Sequence, residues 1–117
     1  MTLHRTLTRW TVAAILAMAA FACGPAAAED FEIVVHHAEI NDVRISPKVG
    51  DTLTFVNEAG IAHNLYVTYP DGTSVTLDTQ PPGTRRSVTL TQSGPAVVRC
   101  WIHPIIRMDV TVGPAAE

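Results

Sequence analysis

From residue 29 onward the sequence predicts an all-β domain, a sandwich or barrel of about seven or eight strands. Three observations carry that expectation. Apolar residues recur at every second position in several short segments, clusters of Gly and Pro separate those segments, and no stretch sustains a helical period. The first segment, Phe31 to His36, places Phe31, Ile33 and Val35 on one face. A short β-branched run from Val43 to Ser46 follows, then the turn Pro47-Lys48-Val49-Gly50-Asp51, where Pro presets φ and Gly accepts positive φ. Thr52 to Asn57 alternates again and ends at the turn Glu58-Ala59-Gly60. Asn64 to Tyr69 and Ser74 to Leu77 flank Pro70-Asp71-Gly72. After Pro81-Pro82-Gly83 come Arg86 to Thr91, the turn Ser93-Gly94-Pro95, Ala96 to Trp101, and finally Met108 to Val112. Their content of Val, Thr, Ile and Tyr suits a pleated, half-buried surface.

Residues 1–28 read differently. His4, Arg5 and Arg9 precede an apolar run from Trp10 to Phe21 broken only by Thr11, and small residues then lead to Ala26-Ala27-Ala28. This is the pattern of a secretory signal peptide, with an apolar core short of the roughly 20 residues of a membrane span. Cleavage after Ala28 is expected, which leaves residues 29–117 as one domain exported to the periplasm, without stable membrane insertion. The alternative is lipoprotein processing at Ala20-Phe21-Ala22-Cys23 with acylation of Cys23, but the bulky Phe21 and the absence of a Leu three residues before the cysteine fit it poorly.

All 11 acidic residues lie after residue 28, and six basic residues remain there, so the domain carries a net charge of −5 with His neutral. Such a balance excludes a general nucleic-acid binder, which needs a basic face to displace counterions from phosphate. It favours a basic partner instead. No nucleophile with its base and no recognisable carboxylate pair is present, so the sequence does not predict an enzyme.

Cys100 is the only thiol left in the exported domain, in a compartment where cysteines usually pair as disulfides. A buried small hydrophobe is one use for such a residue. His103 three positions on, His63 upstream and Met108 beyond point to another. A thiolate and two imidazoles in a plane, with a weak distant thioether, form the electron-transfer copper arrangement, because soft sulfur holds Cu(I) while imidazole accommodates both oxidation states. In a Greek-key sandwich the loops of non-adjacent strands gather at one end, so the separation of 37 positions from His63 to Cys100 is no obstacle.

Asn57-Glu58-Ala59-Gly60-Ile61-Ala62-His63-Asn64 resembles the segment bearing the first His ligand in plastocyanin and amicyanin, and Cys100-Trp101-Ile102-His103 resembles their second ligand loop. The turn and strand Val49-Gly50-Asp51-Thr52-Leu53-Thr54-Phe55 is also similar. Over most of residues 31–113 the chain resembles a small bacterial cupredoxin of the plastocyanin, amicyanin and pseudoazurin group. The resemblance implies a Greek-key β-sandwich and one type 1 copper ion held by His63, Cys100 and His103.

For the axial ligand the resemblance divides. Met108, with four residues between it and His103, has the plastocyanin spacing and is expected as the axial donor; amicyanin has its Met where this chain has Ile106. With amicyanin geometry Met108 becomes a core residue of the last strand, and the axial site is empty or filled by a backbone oxygen. Asn64 resembles the Asn whose amide ties the two ligand loops together. Trp101 and Ile102 depart from the small pair common between Cys and His in this group.

Ile61, Ala62, Pro104, Ile105 and Ile106 around the edge of His103 predict an apolar docking surface, unless Ile105 or Ile106 turns inward. The adjacent His36 and His37 point to opposite faces of a strand and read as structural or surface residues. The expected function is single-electron shuttling between redox proteins such as a c-type cytochrome, a dehydrogenase or an oxidase, by a monomer. The alternative is a copper carrier that hands the ion itself to another protein.

Overall fold

The alternating segments become seven strands in two sheets in the computed structural model, which describes residues 27–40 and 44–116. In chain order these are β1 (Asp30–Val35), β2 (Thr52–Asn57), β3 (His63–Thr68), β4 (Ser74–Gln80), β5 (Arg85–Thr89), β6 (Gly94–Cys100) and β7 (Arg107–Val112). One sheet has the order β1-β2-β5 and the other β4-β3-β6-β7. The predicted leader, Cys23 included, lies almost wholly outside the described residues. So does Val43.

β1 and β2 run parallel, with Ile33 beside Phe55, while the other pairings between these strands are antiparallel. A parallel pair needs a long crossover, and residues 36–51 supply it. The strand expected over Val43 to Ser46 does not form at residues 44–46. That stretch is irregular, and it sends Ile45 and Val49 against the core while Lys48 bridges to Gly113. Its apolar residues serve as a plug at the sandwich edge, a role that alternation alone cannot distinguish from a strand.

Inward positions of both sheets close the core. Ile33, Val35, Leu53 and Phe55 from one sheet face Leu65, Val67, Val98 and Val110 from the other, all buried. Apart from Val34 and Val56, the outward positions of the first sheet are polar: the Thr54 hydroxyl donates to Asp30 at 2.7 Å and lies 2.8 Å from the Ser87 hydroxyl, and Arg85 pairs with Glu32.

Two local features brace this frame. The Asp51 carboxylate accepts the main-chain N–H of Glu29 at 3.0 Å and that of Lys48 at 2.8 Å, with the Lys48 ammonium 3.7 Å away. These bonds, the one from Glu29 foremost, hold its carboxyl below the usual carboxylate range. Gly94 opens β6 at φ +108°, and a β-carbon there would stand 3.0 Å from Pro70 Cγ. Only Gly meets both conditions easily.

β4 runs three residues past its predicted end because of a bulge. Asp78 adopts φ 61°, and the register against β3 shifts between Asn64 and Tyr66. The extra residue lets both Leu77 and Gln80 point inward although three positions separate them. Gln80 thereby comes to lie opposite His63.

Candidate metal centre

His63 begins β3 and Cys100 ends β6; with His103 in the loop beyond, they converge at one end of the sandwich. The antiparallel register of β3 against β6 pairs Leu65 with Cys100, which brings the sulfur beside the start of β3. The loop from Cys100 is short because His103-Pro104-Ile105-Ile106 forms a tight turn, with Ile106 N–H donating to the His103 carbonyl at 3.0 Å. Pro104 stands at the turn position that favours its fixed φ. His63 is fully buried, Cys100 is 2% exposed and His103 is half-buried.

The distances suit a metal. Nδ1 of His63 lies 3.7 Å from Cys100 Sγ, Nδ1 of His103 lies 3.9 Å from it, and the three ligand atoms fall within 4.8 Å of one another. Bonds of about 2.0 Å to imidazole and about 2.3 Å to thiolate, at trigonal angles, place nitrogen and sulfur about 3.7 Å apart. The two rings stand edge to face with centroids 5.0 Å apart. Burial, then the neighbouring His103, pushes the His63 pKa down, and the His36 backbone offsets this in part. A neutral ring with an available nitrogen is the form that ligates. No hydrogen bond of good geometry reaches His63 Nε2, and Gln80 Oε1 opposite is likewise without a partner among the described residues.

The loops around these ligands are tied by main chain and by amides. Asn64 N–H points at Cys100 Sγ from 3.4 Å, and the Asn64 carbonyl accepts Trp101 N–H at 2.9 Å. The expected link between the ligand segments therefore exists, but the backbone of Asn64 makes it. Its side-chain oxygen accepts the Thr76 hydroxyl at 3.2 Å instead.

Asn57 is a supporting residue that the sequence pattern did not single out. Its Nδ2 donates to the carbonyls of Ile61 and Gln80, each at 2.9 Å, and its Oδ1 accepts Ala59 N–H at 2.9 Å. This buried amide fixes the loop that delivers His63. An Asn two residues before a turn amide is a local signal for such a bond. Gln80 supports the same region, donating to Phe55 O at 2.8 Å and Thr84 O at 2.7 Å. No signal in the sequence announces it, since the bulge at Asp78 sets its direction.

The apolar surface differs from expectation in one member. Ile106 turns inward and is fully buried, whereas Ile105 is 76% exposed and Pro104 is exposed too. Trp101 and Ile102 join them on the outside, and Trp101 stacks on Tyr66 with centroids 4.1 Å apart. His36 and His37 lie just past β1, the first half-buried and the second exposed. Met108 sits on the inner face of β7 with Val110 and Val112, directly across from Val98.

No family model matches the sequence. The chain is 50% identical over 112 residues to the methylamine utilization protein MauL of Methylorubrum extorquens, a match covering 96% of this chain and 97% of that protein. It is 47% identical over 79 residues to MauL of Methylophilus methylotrophus, covering 66% of this chain and 45% of that longer protein. Among solved structures it is similar to an amicyanin variant in its reduced Cu(I) form, with a TM-score of 0.62 and 22% identity over 71% of this chain and 81% of the other. With half of its residues identical along nearly the whole of both chains, the protein belongs to the MauL family of methylamine utilization proteins and has the cupredoxin fold of amicyanin.

Proposed function

We propose that this protein is a periplasmic type 1 copper protein that carries single electrons between redox partners in methylamine utilization. The observation that carries the reading is the trio His63, Cys100 and His103, whose nitrogen–sulfur separations of 3.7 and 3.9 Å match trigonal coordination. Copper, when bound, supplies the exchange of one electron between Cu(II) and Cu(I). The amicyanin fold and the names of the MauL relatives support both the metal and the metabolic setting.

The chain's own residues orient and shield. Asn57 fixes the loop that bears His63, the backbone of Asn64 ties that loop to Cys100 and Trp101, and a rigid donor set limits rearrangement between oxidation states. Asn64 N–H directs a donor at a sulfur that carries negative charge as thiolate. His103 is the ligand nearest solvent, and exposed Ile102, Pro104 and Ile105 give a partner an apolar footing beside its ring. A c-type cytochrome, a dehydrogenase or an oxidase has the chemistry of such a partner. The protein transforms no substrate.

Export with cleavage after Ala28 belongs to the same proposal, and among the described residues no helix is long and apolar enough to cross a membrane. The purified protein, loaded with Cu(II), should show an intense thiolate charge-transfer band and a reversible one-electron couple. Colourless Cu(I) that passes readily to an acceptor would favour copper delivery instead.

A further inference from the structure

Two side chains compete for the axial side of the site, Ile106 and Met108, and sheet register separates them. β6 and β7 pair Val98 with Met108 and Arg99 with Arg107. Carried one residue further, the same antiparallel register sets Cys100 across from Ile106. Opposed residues in such a pair share a face with β-carbons about 4.5–5.5 Å apart. Two residues along a strand add about 6.6 Å. Ile106 is therefore the inward side chain level with the sulfur, and Met108 belongs to the layer beneath, level with Val98.

The rest of the geometry agrees. Ile106 is fully buried, and its N–H is bonded to the carbonyl of the ligand His103, so the turn and the core fix it together. Met108 is 8% exposed and continues an apolar row with Val110 and Val112. We propose that Ile106 walls the axial side of the copper site with a side chain that offers no donor atom, and that Met108 is a core residue. The ion then rests on His63, Cys100 and His103 alone among side chains.

This rests on the copper reading of the same trio. Three short bonds suffice to retain the ion, while a missing thioether withdraws electron donation that would favour Cu(II). Ile106 is thus a positioning residue that sets the potential rather than the affinity.

The test compares the copper-loaded protein, expressed from the full chain, with Met108→Leu and Ile106→Met. The first exchange conserves volume. Met108→Leu should keep the thiolate bands and the reduction potential of the parent, whereas Ile106→Met should change the band ratio and lower the potential. A shifted spectrum or potential in Met108→Leu overturns the proposal, as does an Ile106→Met protein indistinguishable from the parent. Should either variant fail to fold, X-ray absorption at the copper edge of the parent decides: one sulfur neighbour is expected, and a second overturns the assignment. A parent protein that takes up no Cu(II) sinks the functional reading itself, a result distinct from all of these.

Discussion

The main-chain N–H of Asn64 points at the sulfur of Cys100 from 3.4 Å, so the residue after one proposed ligand steadies another. Because the backbone makes this contact, Asn64→Ala should keep it and lose only the bond to Thr76. We expect an unchanged charge-transfer band and a stability loss of about 1 kcal/mol in urea unfolding. Cys100→Ser should abolish the band altogether while leaving a folded protein by circular dichroism.

Asn57→Ala should be far more damaging. It strips partners from the carbonyls of Ile61 and Gln80 and from Ala59 N–H, all near His63. Each buried group left unsatisfied costs about 1–3 kcal/mol, with incomplete additivity. Denaturant unfolding should register the loss, and copper should dissociate faster to a chelator than from the parent.

Gly94→Ala tests the frame away from the metal. A methyl group at φ +108° would also stand 3.0 Å from Pro70 Cγ, so strain and crowding act together. A destabilisation of about 1–3 kcal/mol is expected, read as a lower unfolding midpoint with an unshifted visible spectrum.

Acid should unfold the protein in part through Asp51. Its pKa is depressed in the folded state, chiefly by the N–H of Glu29 and then that of Lys48, and returns to about 3.9 on unfolding. The stability it contributes is complete above that ordinary value and is lost as the pH falls through the depressed one. Asp51→Asn should lower the melting temperature at neutral pH and flatten its fall below about pH 4. An acid limb as steep as the parent's would remove Asp51 from this role.

Much of this molecule could be read from its residues. Alternation in segments such as Phe31 to His36 and Thr52 to Asn57 located the strands, since one buried face imposes a period of two. Cys100 with His103 three residues away pointed to the candidate centre, and the fold brings His63 to it. The failures share a cause. Asp78 in a left-handed conformation extended β4 and turned Gln80 inward, and Ile45 left strand geometry to plug an edge. Both depend on how distant parts of the chain meet, which a local pattern does not contain. The choice between Ile106 and Met108 likewise depends on the β6–β7 register and not on spacing from His103.

The bond from Glu29 N–H to the nearly buried Asp51 carboxylate stands at the boundary where cleavage is proposed. In the full-length chain that nitrogen is a neutral amide. Were the leader removed after Ala28, the same atom would become a positively charged terminal amine beside a carboxylate that is 1% exposed, and an ion pair would replace an ordinary hydrogen bond. The enzyme that releases the chain would then also tighten the seam between its first strand and the turn leading into its second.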